Sequence, residues 1–292
     1  MIKIGNEISL EKRMREIHER HKLQVEKQAW NYYDYMPWER ITTKEKQIIL
    51  PEPLVTAVET SMLTELNLPW YTTYLADMFK NGISPLQEFI YDWVSEEEQH
   101  STALETYLVL NGSVEKNKLG ALKKDMLVAG WDSTLAHPVA VMAYTSIQEL
   151  ATVVFYRNIA ATARGYDTEL EKLLVRLADD ESLHYAFYNQ AIEAHLELDP
   201  DLIYYIAPVI KNFKMPGQVL KDFDERMKII EGAGYGADEY LDQVLEKLLI
   251  RWKVASLTPR TNDGRKAKEE ILTYVGKLKR INNRFKMRRK KV

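Results

Sequence analysis

Two histidines in this chain carry a glutamate three residues before them: Glu97/His100 within Ser95–His100, and Glu181/His184 within Asp179–His184. On a helix, residues i and i+3 share a face about one turn apart, so each pair can present a carboxylate oxygen and an imidazole nitrogen to one metal ion. Glu65 lies 32 residues before Glu97, and Glu149 lies 32 residues before Glu181. The triplet Glu65, Glu97, His100 therefore repeats as Glu149, Glu181, His184, with every member displaced by 84. One glutamate from each of two helices and a Glu-x-x-His from each of two others is the ligand set of a two-metal carboxylate four-helix bundle. The other four histidines lack such a glutamate, and His18, His21, His137 and His195 read as surface or packing side chains.

Four carboxylates and two neutral imidazoles suit two divalent ions of intermediate hardness, iron or manganese. Their summed charge of about −4 matches two such ions at physiological pH. A buried centre of that kind can pass electrons to dioxygen. Bundles carrying it store iron, generate radicals, hydroxylate or desaturate, and the bundle alone does not choose among these. Metal-bound histidines usually donate their second ring N–H to a carboxylate. Asp180 is placed to serve His100, and Glu96 to serve His184. Thr152 is i+3 from Glu149, so its hydroxyl either bonds its own helix backbone or faces an oxygen-binding pocket. Glu59 breaks the 32-residue match and reads as structural or solvated, and Glu98 as solvated.

The elements that must carry these residues are all helical. Bundle helices are expected over about 51–80, 84–111, 138–164 and 167–198, with a shorter connecting helix over 114–129. Asn81-Gly82, Asn111-Gly112, Gly130 and Gly165 supply stops, and Ser84-Pro85 reads as an N-cap followed by proline in the first turn. Pro69 cannot donate to the carbonyl of Glu65, so the first bundle helix should bend or loosen there. Residues 7–28 read as an amphipathic helix lying on the bundle. The aromatic run 30–40 reads as a packed connection that can bring Trp30 to the outer surroundings of the metals. Residues 200–275 continue as helices, with Pro208 and Pro216 as breaks. The fold expected is thus all-α, a four-helix bundle with flanking helices, forming one domain over 1–276 and followed by a basic tail over 277–292.

Composition narrows the partners. Hydrophobic residues make up 46% of the 292 residues, enough for a large core. The net charge of −3 gives the whole chain no reason to bind nucleic acid. The absence of cysteine excludes disulfides and thiolate metal sites. No apolar run is expected to span a bilayer, the start lacks a signal-peptide core, and the cytoplasm is the expected compartment. Lys277–Lys291 contains nine lysines or arginines, and reads either as a solvated run or as a dock for an acidic macromolecule.

Longer motifs then carry a resemblance. Thr64-Glu65-x3-Pro69-x-Tyr71, Trp93-x2-Glu96-Glu97-x2-His100, Tyr144-Thr145-Ser146-x-Gln148-Glu149-x-Ala151-Thr152, Asp180-Glu181-x2-His184 and Arg251-Trp252-Lys253-Val254 run through most of the chain. Together they resemble the soluble acyl-[acyl-carrier-protein] desaturases, ferritin-like di-iron enzymes. The chain departs at Glu-Glu-Glu-Gln-His, where the family has Glu-Glu-Asn-Arg-His, and at Leu66, where the family has a second glutamate. The resemblance implies two iron ions per chain, held by Glu65, Glu97, His100, Glu149, Glu181 and His184. It implies Thr152 beside the oxygen site, and O2-dependent insertion of a cis double bond into a saturated acyl chain. It further implies acyl carrier protein as the carrier, ferredoxin as the electron donor, and a homodimer. The tail, with Lys22 and Lys27, would offer basic surface to an acidic carrier. The competing readings are another di-iron oxidase (a hydroxylase or N-oxygenase), and a non-enzymatic iron-binding protein.

Overall fold

A computed structural model describes residues 4–80 and 82–289. Among them there is no strand, and the architecture is a helical bundle with flanking helices. The bundle consists of α2 (Glu52–Glu65) running on into α3 (Leu68–Phe79), α4 (Ser84–Leu110), α6 (Pro138–Ala163) and α7 (Thr168–Leu198). The helix α5 (Lys116–Ala129) connects α4 to α6. The N-terminal helix α1 (Ile4–Lys27) lies against α7 and α4. After the bundle come α8 (Ile203–Asn212), α9 (Phe223–Ile230), a short α10 (Ala237–Glu239) leading into a π-helical turn, α11 (Glu246–Arg251) and α12 (Asn262–Arg289). Of these, α9 packs on α2, and α8 packs on α6 and α12.

The helix boundaries follow local chemistry. The side chain of Asp167 accepts from the N–H of Glu169 at 2.9 Å and caps α7. His137 caps α6 through Nδ1, which accepts from the N–H of Val139 at 3.2 Å. Such caps satisfy backbone donors that have no partner within the helix. The most extensive pairing in the bundle is between α6 and α7. Both helices bury several alanines, Ala143, Ala151 and Ala160 on α6 and Ala178, Ala191 and Ala194 on α7, and small side chains let packed backbones approach.

The expected weakness at Pro69 is a full break. After α2, Leu66 and Asn67 form a turn before α3 begins. The break is closed by other groups: the Tyr71 hydroxyl donates to the Thr64 carbonyl at 2.9 Å, and the Asn67 side chain donates to the Gly130 carbonyl at 3.0 Å. Gly130 ends α5 with φ 62°, and a side chain there would run into the Trp70 ring.

Several expectations need correction. Ser84 is the first residue of α4 and not its cap, which is Ile83. Its hydroxyl instead accepts from Arg15 at 2.8 Å and donates to Glu11 at 3.2 Å. Pro208 does not break α8 but lies inside it. The carbonyl it leaves without a donor belongs to Tyr204, which is half exposed and open to water. The helix α6 is, by length and composition, apolar enough to cross a bilayer, but 78% of its apolar window is buried inside the bundle. Of the two readings of Glu59 the structural one holds: it is buried and accepts from Arg226 at 2.8 Å, tying α9 to α2. The basic stretch from residue 277 belongs to α12 as far as Arg289, with Lys279 and Lys286 paired to Glu246 and Asp242. Lys290–Val292 lie outside the described residues.

Candidate metal centre

Six side chains converge where α2 ends and α4, α6 and α7 cross the bundle. Their ligand atoms form two overlapping groups, Glu65/Glu97/His100/Glu181 and Glu97/Glu149/Glu181/His184, each within 4.8 Å. Glu97 and Glu181 belong to both. His100 Nδ1 lies 3.0 Å from Glu97 Oε2 and 3.3 Å from Glu181 Oε1. His184 Nδ1 lies 2.9 Å from Glu97 Oε1 and 3.6 Å from Glu181 Oε2. Each shared carboxylate therefore turns one oxygen to each imidazole, and could serve a metal on either side.

The orientation of the imidazoles sharpens this. Neither Nδ1 forms a hydrogen bond despite those short distances, and neither oxygen of Glu149 has a hydrogen-bond partner. Buried polar atoms normally have partners, and these four unpartnered atoms belong to the two groups that meet at one centre. Each Nε2 points outward to a carboxylate: His100 to Asp180 at 3.3 Å, and His184 to Glu96 at 2.9 Å. These are the two outer pairings expected from the sequence. Each leaves Nδ1 as the bare acceptor facing the centre.

The outer carboxylates have further partners. Asp180 accepts from the Trp30 indole N–H at 2.6 Å and from Arg176 at 2.5 Å. Glu96 accepts from His21 Nε2, which is 3.1 Å from both of its oxygens. His18 and His21 are thus not surface residues: both are buried, and His18 meets Asp92 at 2.6 Å. Arg176 and His21 had no signal in the sequence, since each acts through a side chain and neither carries a ligand spacing. His137 stacks on Tyr205 at 3.6 Å, and His195 Nδ1 lies 2.7 Å from the Ala191 carbonyl. Both pack, as expected.

Electrostatics say what the centre lacks. Burial, reinforced by the neighbouring carboxylates, pushes Glu65 and Glu149 well above the usual carboxylate range. Burial alone would push His100 and His184 down, but Glu97 and the other carboxylates around them hold both well above the ordinary imidazole value. Burial would raise Glu97, yet the two imidazoles keep it below its usual range. Protons thus collect where positive charge is missing. Two divalent ions would supply that charge and displace those protons. The donor set therefore fits a pair of metals.

A cleft reaches the centre on one side. Glu65 and Thr152 line it together with Phe155, Met215, Phe223 and Met227, around about 60 Å³ of free space. The same face of α6 continues through Gln148 and Thr145 into an aromatic pocket of about 10 Å³ beside Trp93, Trp131 and Tyr144. Glu65 lies deep but is partly exposed along the cleft, and Tyr156 donates to it at 2.9 Å. The Thr152 hydroxyl donates to the Gln148 carbonyl at 3.1 Å, the first reading of its sequence, and the residue borders the cleft.

The sequence profile of the fatty acid desaturase family matches residues 6–292. The chain belongs to this family. A seed-specific, chloroplastic stearoyl-[acyl-carrier-protein] 9-desaturase of Brassica napus is 30% identical, over 93% of this chain and 74% of the relative. A chloroplastic stearoyl-[acyl-carrier-protein] 9-desaturase of Spinacia oleracea is 29% identical, over 92% of this chain and 73% of its own. The fold matches an X-ray structure described as an acyl-ACP desaturase from Mycobacterium tuberculosis H37Rv, with TM-score 0.65 and 19% identity, covering 89% of this chain and 99% of that one. This desaturase-family chain therefore places its paired carboxylate and imidazole groups within the ferritin-like bundle expected from its sequence.

Proposed function

We propose that this chain is an O2-dependent acyl-[acyl-carrier-protein] desaturase that introduces a cis double bond into a saturated acyl chain. The observation that carries this reading is the pair of metal-type groups sharing Glu97 and Glu181 at the side of a narrow, mostly apolar cleft. Two iron ions would be held by Glu65, Glu97, His100, Glu149, Glu181 and His184. When bound, they would supply the reduction of O2 and the oxidising power needed to remove hydrogen from an unactivated methylene.

The chain's own residues do the rest. The acyl chain is oriented along α6 by apolar side chains, and Met215 and Met227 can repack to widen a cleft that is tight as it stands. A cleft of that shape excludes bulk water from the reacting carbons. Thr152 holds its hydroxyl proton on the Gln148 carbonyl, next to Glu65, where protons are needed as oxygen becomes water. Asp180 and Glu96 fix the tautomers of His100 and His184. Asp180 touches no part of the cleft, so its part in the reaction is to position His100. Ferredoxin would supply electrons, and acyl carrier protein would present the chain. A homodimer in the cytoplasm is the working assembly. A hydroxylase acting on a bulky or polar substrate would need a wider cleft than this one.

The test is iron-loaded protein with a ferredoxin reducing system and acyl carrier protein charged with stearate or palmitate, followed by mass spectrometry of the released acid. An acid lighter by two hydrogens supports the reading. An oxygenated product would favour a hydroxylase. Unchanged substrate, together with many irons per chain, would favour storage.

A further inference from the structure

The N-terminal helix α1 reaches the metal centre without supplying a ligand. It meets α4 in three rungs. Arg15 pairs with Glu88, at 3.1 Å to each oxygen, His18 pairs with Asp92 at 2.6 Å, and His21 pairs with Glu96. The first two rungs end on carboxylates that are 45% and 41% exposed, whereas Glu96 is only 13% exposed. Water screens the outer rungs far more than the last one.

Among the described residues, Glu96 is also the one hydrogen-bond partner of His184 Nε2, at 2.9 Å. An ionised carboxylate only accepts, so both imidazoles must present an N–H to it. The His21 ring is held in place by Phe89 and Phe187, with centroids at 5.0 and 6.2 Å, and lies 6.1 Å from the His184 ring. Because His21 Nε2 stands 3.1 Å from both oxygens of Glu96, it fixes the plane of that carboxylate and not just its position. The other half is steadied differently, since Asp180 takes its support from Trp30 and Arg176.

We propose that His21 is a positioning residue for the His184 half of the metal centre, holding Glu96 in the orientation that receives the His184 N–H. This rests on the reading of the six residues as metal ligands. By linkage, docking of α1 and metal binding on the His184 side must favour each other by the same factor. Loss of the partner behind a metal-bound histidine typically weakens metal affinity 10–100-fold, and His21 stands one contact further out, so about tenfold is expected.

The experiment uses the full chain and three variants: His21→Ala, His21→Gln and His18→Ala. Each is titrated with Fe(II) or Co(II) and dialysed, its metal per chain is measured, and hydrogen exchange is followed over α1 with and without metal. The expected result is that wild type keeps two ions, while His21→Ala binds one of the two about tenfold more weakly and retains close to one. His21→Gln, whose amide still donates, recovers part of the loss, and His18→Ala keeps both. Metal should slow exchange in the last turns of α1 in wild type but not in His21→Ala. Unchanged affinity in His21→Ala and His21→Gln overturns the proposal. So does an equal metal loss in His18→Ala, which would make general docking of α1 responsible. A wild type that binds no metal overturns the ligand reading itself, and is distinct from either of these outcomes.

Discussion

The two halves of the centre are the same in sequence and different in space. Glu65 with His100 and Glu149 with His184 obey one spacing, and each imidazole faces the same two shared carboxylates. Beyond those atoms the likeness ends. Glu65 ends a helix broken at Leu66–Asn67, is bonded by Tyr156 and faces the cleft. Glu149 sits within the unbroken α6, is fully buried, and has no hydrogen-bond partner on either oxygen. The outer carboxylate of one half leans on a tryptophan and an arginine, that of the other on a histidine from α1. The repeat therefore supplies two equivalent sets of ligand-type side chains, while the surroundings make one half approachable and the other closed.

The largest effect should come from what the halves share. Glu97→Ala removes an oxygen from both groups, and metal content should fall from two ions to none, as read by elemental analysis. Retention of one ion would mean that Glu97 serves a single half. The next comparison separates the halves: added formate should restore metal binding to Glu65→Ala, which opens on the cleft, but not to Glu149→Ala, which is sealed. Equal rescue of both would erase the asymmetry.

Asp180→Asn should leave the helix content intact and weaken metal binding about 10–100-fold, measured by competition with a chelator. Thr152→Val should leave metal content and melting temperature nearly unchanged, because its hydroxyl bonds only its own helix, yet slow product formation by about tenfold or more if that hydroxyl handles a proton.

The smallest effect on the centre is expected from a lesion outside both halves. Burial would raise the carboxyl of Asp167, but Arg40, Tyr107 and the Glu169 N–H hold it below its usual value. A depressed folded value gives stability that is present above about pH 4 and lost as pH falls through the lower folded value. Asp167→Asn should therefore lower the melting temperature at pH 7, with the difference from wild type shrinking towards pH 2. Metal content of the folded protein should stay at two ions, and a change there would couple this network to the centre.

Much of the site was legible because its spacing is local. Glu-x-x-His on one helical face, the stops at Gly112 and Gly130, and the outer roles of Asp180 and Glu96 depend on positions within a turn or on a motif repeated 84 residues later. His21 was not legible. Its partner Glu96 is 75 residues away, and a lone histidine on an amphipathic helix carries no sign of which carboxylate it will meet. Which of the two readings of Glu59 holds was not legible for the same reason, since Arg226, which meets its carboxylate in the interior, is 167 residues distant. Pro208 was misread because a proline's effect depends on whether the carbonyl it deprives can reach water, which is a property of the folded surface.

Composition, helical periodicity and the repeated triplet by themselves settled an all-α chain with six ligand-type residues in two matched sets, because helical geometry converts sequence spacing directly into shared faces. Only the packed bundle decided that the oxygens of Glu97 and Glu181 divide between two imidazoles, that the cleft opens at Glu65 and not at Glu149, and that His21 of α1 meets Glu96. Those outcomes depend on how separate helices cross, and no spacing within one helix encodes the angle or depth at which another will meet it.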